Sequence, residues 1–266
     1  MIRTISYGID VLLVVFLARE VWQFRRRYRR LEEEVAAGDR DARSRLYRRV
    51  LRFQWLAAGF AVAAVRFDWS AFHPQSLGLS SSPLFHSLAG ALGDGALGGL
   101  ATGVGVGTAV LVLMRLRQRR AGAAQPGAGA PALVRRLLPD FSALLPVTVG
   151  ERWQWFAISI SAGVCEEIVF RGWLLSVLHT PLGLAGTGLI VVAAACFGIA
   201  HAYQGPAGVV LTGIAGVVFC VLYAATGGLL VPMVLHAVVD ARFALLPRGD
   251  AGRVESAPVP GGLRAV

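Results

Sequence analysis

The chain has 266 residues, of which 55% are hydrophobic and only 16% carry a charge, whereas soluble domains carry about 25% charged residues. The mean hydropathy of +0.60 points the same way, so we expect much of the chain to face lipid rather than water. The net charge is +10, but eleven of the 26 basic residues fall between Arg25 and Arg52 beside apolar runs. The positive-inside rule explains that placement, and nucleic acid is therefore disfavoured as a partner.

Apolar runs divide the chain into candidate membrane helices. A helix needs roughly 20 apolar residues to cross the hydrocarbon core of a bilayer. Seven stretches approach that length: residues 4–22, 51–66, 88–114, 153–178, 185–202, 206–224 and 229–246. The sequence therefore predicts an all-α, polytopic transmembrane helix bundle of about seven spans, with eight spans as the alternative.

Two basic connections orient the predicted bundle. Residues 25–50 combine arginines with three glutamates and predict a cytosolic helix, and residues 115–136 run from an arginine cluster into a flexible linker. Placing both connections in the cytosol puts the N-terminus outside and the C-terminus inside. The chain uses arginine and no lysine, a composition typical of GC-rich genomes, and we therefore expect a protein of the bacterial plasma membrane.

Three regions follow from this division. Residues 1–150 hold the first three predicted spans and the arginine-rich connections, and residues 151–247 hold the last four spans. Residues 248–266 are rich in glycine and proline and predict a disordered tail. The three cysteines lie in apolar segments without CxxC spacing, so no disulfide or zinc–thiolate site is predicted.

Ionisable residues are concentrated in the last four predicted spans. Such side chains are costly inside a membrane and usually mark a functional site. They form three motifs: Glu166-Glu167 followed by Arg171, Phe197 followed by His201, and His236 followed by Asp240. A single buried Glu or His is often only a satisfied polar core residue, but six ionisable groups on three spans favour function.

Helical spacing separates two roles within the first motif. Glu167 and Arg171 are i and i+4, so they can pair on one helix face and act as a structural strut. Glu166 points about 100° away from Glu167 and is free to face a cavity. His236 and Asp240 are also i and i+4, and both can address one point.

Four of these residues suit a hydrolytic pocket. In the predicted topology, a water-filled pocket that opens toward the cytosol would be lined by Glu166, His201, His236 and Asp240. A carboxylate with a neighbouring imidazole can take a proton from water, and a second imidazole with a further donor can stabilise an oxyanion. These groups are sufficient to hydrolyse an amide without a covalent intermediate.

The three motifs resemble those of the CPBP family, which comprises type II CAAX prenyl endopeptidases and bacteriocin-processing or bacteriocin-immunity membrane proteins. The family pattern is EExxxR, then FxxxH, then HxxxN or HxxxD on separate membrane helices. The chain matches it in residue type, order and separation over about residues 150–247. The resemblance implies an intramembrane endopeptidase that cleaves membrane-associated peptides, of CAAX type or other.

The resemblance also implies a role for each residue. Glu166 would be the general base that activates water with the help of His201, and His236 and Asp240 would form the oxyanion side. Three residues would support the site structurally: Glu167, Arg171 and Phe197. Prenyl-processing members typically carry Asn at the last position, so Asp240 either is protonated or orients His236 instead.

The sequence allows two interpretations of the cofactor and two of the class of activity. The family has been described both as metalloproteases and as glutamate proteases, and Glu166, His201 and His236 could bind zinc. No HExxH pattern is present, and metal-free water activation is favoured.

A non-catalytic scaffold or bacteriocin-immunity member of the same fold is the alternative to a protease. A transporter is disfavoured because paired inverted segments are lacking. The expected partners are membrane lipid and a membrane-associated peptide or protein, and no pattern assigns an oligomeric state.

Overall fold

The computed structural model describes residues 2–65, 72–79, 142–180 and 182–245. Within these ranges every regular element is helical and none is a strand, which confirms the predicted all-α class. The predicted third span at 88–114, the linker at 115–136 and the tail at 248–266 lie outside the described residues.

Seven α-helices are described. They are α1 (Ile2–Ala36), α2 (Ala42–Ala64), α3 (Val149–Glu167), α4 (Leu175–His179), α5 (Gly186–Ala200), α6 (Gly205–Thr226) and α7 (Leu230–Ala241). A π-helical segment, Ile168–Leu174, joins α3 to α4. Short 3-10 turns occur at Pro74–Leu77, Ser142–Leu144, Ala202–Gln204 and Arg242–Leu245.

The first two helices form a hairpin whose bounds differ from the prediction. The predicted separate helix at 25–50 is wrong, because α1 continues through the arginine-rich stretch to Ala36 and α2 already begins at Ala42. Arg and Glu are good helix formers, so the helix does not stop where the apolar run does. The turn uses Gly38 at φ 84°, and Arg45 bonds Asp39 Oδ2 at 2.6 Å, which holds the pKa of Asp39 below its ordinary value.

Local sequence determines where α3 begins. Thr148 accepts a hydrogen bond from the backbone N–H of Glu151, and the Glu151 side chain accepts one from the backbone N–H of Thr148. This capping box satisfies two amides that a helix start leaves free. The predicted helix at 153–178 is therefore present with an earlier start, but it contains a π-helical segment at Ile168–Leu174, a conformation often found at functional sites.

Close packing brings α7 against α3 and α6 against α5. A Cβ atom on Gly163 of α3 would lie 2.5 Å from the backbone oxygen of Met233 on α7. A Cβ atom on Gly198 of α5 would lie 2.5 Å from the backbone oxygen of Val209 on α6. Glycine at these two positions lets the helix backbones approach closely, and both positions are within four residues of a polar motif.

The described residues contain one helix that is long and apolar enough to cross a membrane, Ala202–Thr226, and a shorter apolar helix, Gly186–Ala200. Apolar side chains on the outside of α6, such as Val210 and Ile214, are more than half exposed. The predicted number of seven spans is therefore not confirmed.

Candidate active site

The three motifs meet at one point of the fold. Glu166 lies in the last turn of α3, His201 follows the end of α5, and His236 and Asp240 lie on α7. Glu166 Oε2 is 3.9 Å from His201 Nε2 and 4.0 Å from His236 Nε2, and His236 Nε2 is 3.7 Å from Asp240 Oδ2. These gaps exceed a direct hydrogen bond, and one water at about 2.8 Å from each atom spans such a gap. The structure thus brings the four predicted catalytic residues together.

His201 is oriented by its own helix. Its Nδ1 atom lies 2.9 Å from the backbone oxygen of Phe197. A carbonyl oxygen only accepts hydrogen bonds, so Nδ1 carries the proton, and in the neutral ring the lone pair is on Nε2. The Phe197 ring packs against the His201 ring with centroids 4.8 Å apart. His201 therefore presents an acceptor toward Glu166.

His236 is held by the second glutamate of the first motif. Its Nδ1 atom lies 2.8 Å from Glu167 Oε1, and its ring stacks on Phe219 with centroids 4.9 Å apart. The side chains of His236 and Glu167 are 5% and 0% exposed. Sequence reasoning missed this contact, since it assigned Glu167 only to Arg171. The one available signal was the adjacent Glu166, which points about 100° away from Glu167 and indicates that α3 contacts more than one partner.

The predicted strut between Glu167 and Arg171 forms. Arg171 Nη1 donates to Glu167 Oε1 at 3.0 Å with both side chains buried, and Arg171 Nη2 donates to the backbone oxygen of Gly216 on α6 at 3.2 Å. The guanidinium also lies over the rings of Phe197 and Phe219, at 4.6 and 5.1 Å from their centroids. This buried cation links α3 and the π-helical segment to α5 and α6.

A cavity of about 640 Å³ leads to the site. Its walls come from α1, α2, the π-helical segment and the end of α5, and its lining is mostly apolar. Glu166 and His201 both line it, and their side chains are 23% and 18% exposed. A ligand in this cavity would therefore reach Glu166 and His201, whose Oε2 and Nε2 atoms are 3.9 Å apart.

Two histidines and a glutamate are a donor set that zinc uses in hydrolases. Both histidines have Nδ1 engaged and Nε2 free, as zinc ligands often do. Tetrahedral zinc holds nitrogen and oxygen ligands at about 2.0–2.2 Å, which puts them roughly 3.3–3.6 Å apart. The observed separations of Glu166 from His201 and His236 are wider, and the described part of the chain contains no group of three or more His, Cys, Asp or Glu arranged to hold a metal. Zinc would therefore require Glu166 to approach both histidines more closely than the 3.9 and 4.0 Å observed.

Comparison with known proteins places this site within a recognised domain. Residues 148–242 match the family model described as type II CAAX prenyl endopeptidase Rce1-like. The match spans 95 of the 266 residues and includes all three motifs, so it confirms the resemblance to the CPBP family for this segment. The members of this family are integral membrane proteins. No curated protein and no solved structure matches the chain.

Proposed function

We propose that this chain, which carries an Rce1-like domain at residues 148–242, is an intramembrane endopeptidase that hydrolyses peptide bonds of membrane-associated substrates. The observation that carries the proposal is the pair formed by Glu166 Oε2 and His201 Nε2, which face each other across 3.9 Å. Both atoms are hydrogen-bond acceptors when the carboxylate is ionised and the ring is neutral. A water molecule, with two O–H donors, complements such a pair.

The reaction begins with that water. Its oxygen attacks the carbonyl carbon of the scissile peptide bond while one of its protons passes to Glu166, with His201 holding the other proton in place. The resulting tetrahedral intermediate carries a negative charge on the former carbonyl oxygen. The proton on Glu166 then passes to the leaving nitrogen, the C–N bond breaks, and a carboxylic acid and an amine are released. Neither a covalent enzyme intermediate nor an added reductant or oxidant is needed.

His236 and Asp240 form the oxyanion side of the proposed site. The hydrogen bond to Glu167 occupies the Nδ1–H of His236, so donation from Nε2 requires an imidazolium ring with both protons. The Asp240 carboxyl group lies 3.7 Å from that Nε2. It either donates to the oxyanion in its protonated form or balances the charge of the imidazolium.

The membrane setting belongs to the proposal as well. We place α6 across the bilayer, because it is long and apolar enough to span it, and we place the site toward the cytosolic side in a bacterial plasma membrane. The substrate is a membrane-associated peptide or protein, of CAAX type or other. Metal-free activation is preferred over zinc because Glu166 is 3.9 Å from His201 and 4.0 Å from His236, and one water spans each of these gaps.

The test compares the wild-type protein with Glu166→Gln in detergent, on a library of membrane-proximal peptides, both prenylated and plain. We expect the variant to lose cleavage, because the amide cannot accept the proton, and to keep its unfolding temperature, because Glu166 is not part of the Arg171 pair. Glu33→Gln, an exposed position on α1, is the matched control and should cleave normally. Cleavage by Glu166→Gln at the wild-type rate would refute the mechanism, and binding of peptides without cleavage by the wild type would favour the non-catalytic scaffold.

A further inference from the structure

The cavity that leads to the site has a wall that the family match does not include. Both α1 and α2 line it, and both precede residue 148 in the chain. The same lining contains Glu166 and Phe170 from the first motif region and His201 from the end of α5. A ligand in this cavity is therefore within reach of both the N-terminal helices and the proposed catalytic pair.

The side-chain amide oxygen of one residue in the N-terminal wall has no hydrogen-bond partner among the described residues. Gln54 on α2 is 5% exposed and lines the cavity. Its Oε1 atom makes no hydrogen bond to any described residue. Buried side-chain amides are normally hydrogen-bonded, and Gln54 is surrounded in this wall by apolar neighbours such as Phe53 and Ala57. An amide oxygen in such a place matches a ligand with an N–H donor, as a peptide backbone has.

The cationic groups of the lining differ in whether they are already paired. Arg27 is bonded to both Glu20 and Gln23 on α1, so its charge is balanced. Arg25 and Arg49 also line the cavity, are exposed, and form no ion pair with any described residue. These two arginines give the outer part of the cavity a positive charge that Glu20 does not neutralise.

We propose that the N-terminal wall is a substrate-recognition site for an internal peptide segment that is apolar and carries an acidic side chain. This inference rests on the proposed function and names the substrate class. Gln54 hydrogen-bonds a backbone peptide group, the apolar lining receives the neighbouring side chains, and Arg25 and Arg49 bind the Asp or Glu carboxylate. The unpartnered amide oxygen of Gln54 favours a peptide over the acyl chain of an anionic lipid, because the acyl chain has no hydrogen-bond donor.

The test measures binding and does not depend on hydrolysis. The full chain carrying Glu166→Gln is placed in phosphatidylcholine nanodiscs. A fluorescein-labelled apolar peptide of about 20 residues with one Glu, and its Glu→Gln counterpart, are titrated by fluorescence anisotropy. We expect the acidic peptide to bind about fivefold more tightly, as two exposed ion pairs allow.

Two variants separate the contributions of the wall. Arg25→Ala/Arg49→Ala should bring the preference for the acidic peptide close to one, whereas Arg29→Ala/Arg48→Ala, which removes two exposed arginines outside the lining, should leave it unchanged. Gln54→Leu should weaken both peptides by about the same factor, roughly five- to tenfold for one buried hydrogen bond. Unfolding temperatures should be equal for the four arginine substitutions, since all are at exposed positions.

Three results would overturn the inference. The first two are equal affinity for the two peptides and no binding of either peptide. The third is that Arg25→Ala/Arg49→Ala loses binding to phosphatidylglycerol but keeps its preference for the acidic peptide. Cleavage is measured separately on the chain with Glu166 intact. Cleavage without an acidic preference contradicts only the recognition site. Acidic preference without cleavage contradicts only the proposed endopeptidase.

Discussion

The Nδ1 atom of His236 on α7 lies 2.8 Å from Oε1 of Glu167 on α3, and both side chains are buried. The same carboxylate oxygen accepts a hydrogen bond from Arg171. The second glutamate of the EExxxR motif thus fixes the ring of a proposed oxyanion-side residue as well as an arginine. The first motif therefore acts on both sides of the site, through Glu166 toward water and through Glu167 toward His236.

The Glu167–Arg171 pair predicts an asymmetric effect on stability. Arg171→Met leaves the Glu167 carboxylate buried without its cation, which we expect to cost about 3–5 kcal/mol in free energy of unfolding. The double variant Glu167→Gln/Arg171→Met removes both charges of the pair together and should cost less than Arg171→Met alone. Denaturant unfolding in detergent measures both. A double variant at least as unstable as the single one would show that the pair itself, and not the isolated charge, governs stability.

Substitution of Asp240 distinguishes its two proposed roles. Asp240→Asn supplies an N–H donor in place of the carboxyl group, so we expect it to retain cleavage. Asp240→Leu removes both donor and acceptor and should lower kcat by about 10²–10³-fold. If Asp240→Asn is as inactive as Asp240→Leu, the carboxylate is required as an anion beside His236, and donation to the oxyanion by this residue is wrong.

Close packing at Gly163 predicts opposite results for two glycine substitutions. A methyl group at Gly163 would meet the backbone of Met233 and Ala237 within 3 Å, so Gly163→Ala should push α7 away and destabilise the fold by about 1–3 kcal/mol. Gly59, in the middle of α2, has no atom within 4 Å of the added methyl. Gly59→Ala should therefore stabilise the fold by about 0.5–1 kcal/mol. Equal effects of the two substitutions would contradict the observed approach of α3 and α7.

A hydrogen bond between α1 and the π-helical segment predicts a third stability effect. Trp173 Nε1 donates to Asp10 Oδ1 at 2.8 Å, as expected for a polar group that joins two helices. Asp10→Leu leaves the buried indole N–H without an acceptor and should cost about 1–3 kcal/mol. Asp10→Asn retains an acceptor oxygen and should cost less than about 1 kcal/mol. Thermal unfolding of the two variants tests the contact, and indistinguishable unfolding temperatures would argue against it.

Metal removal tests the preferred mechanism directly. The separations around Glu166 suit a bridging water better than zinc, so we expect cleavage to be unaffected by a strong chelator. The experiment compares peptide cleavage by the purified protein with and without chelator, followed by readdition of zinc. Loss of cleavage that zinc restores would make Glu166, His201 and His236 metal ligands, and their side chains would then have to close from the present spacing.

Part of the site was predictable because it is local. The i, i+4 spacing of Glu167 and Arg171 predicts their pairing, and the 100° turn between Glu166 and Glu167 predicts that only one of them faces a cavity. The His201 ring is likewise oriented by the backbone of Phe197, four residues earlier. The extent of α1 was not predictable from hydropathy, because Arg and Glu continue a helix as readily as apolar residues do.

The sequence by itself determined the helical class, the residues of the three motifs and the contacts within one helix, since these depend on spacing along a 3.6-residue period. Only the tertiary structure decided that Glu167 holds His236, 69 residues away, and that α1 and α2 line the path to Glu166. Those contacts depend on how closely helices approach, which is controlled at Gly163 and Gly198 by backbone contacts on other helices. The periodicity of a helix in the sequence does not indicate which other helix it will pack against.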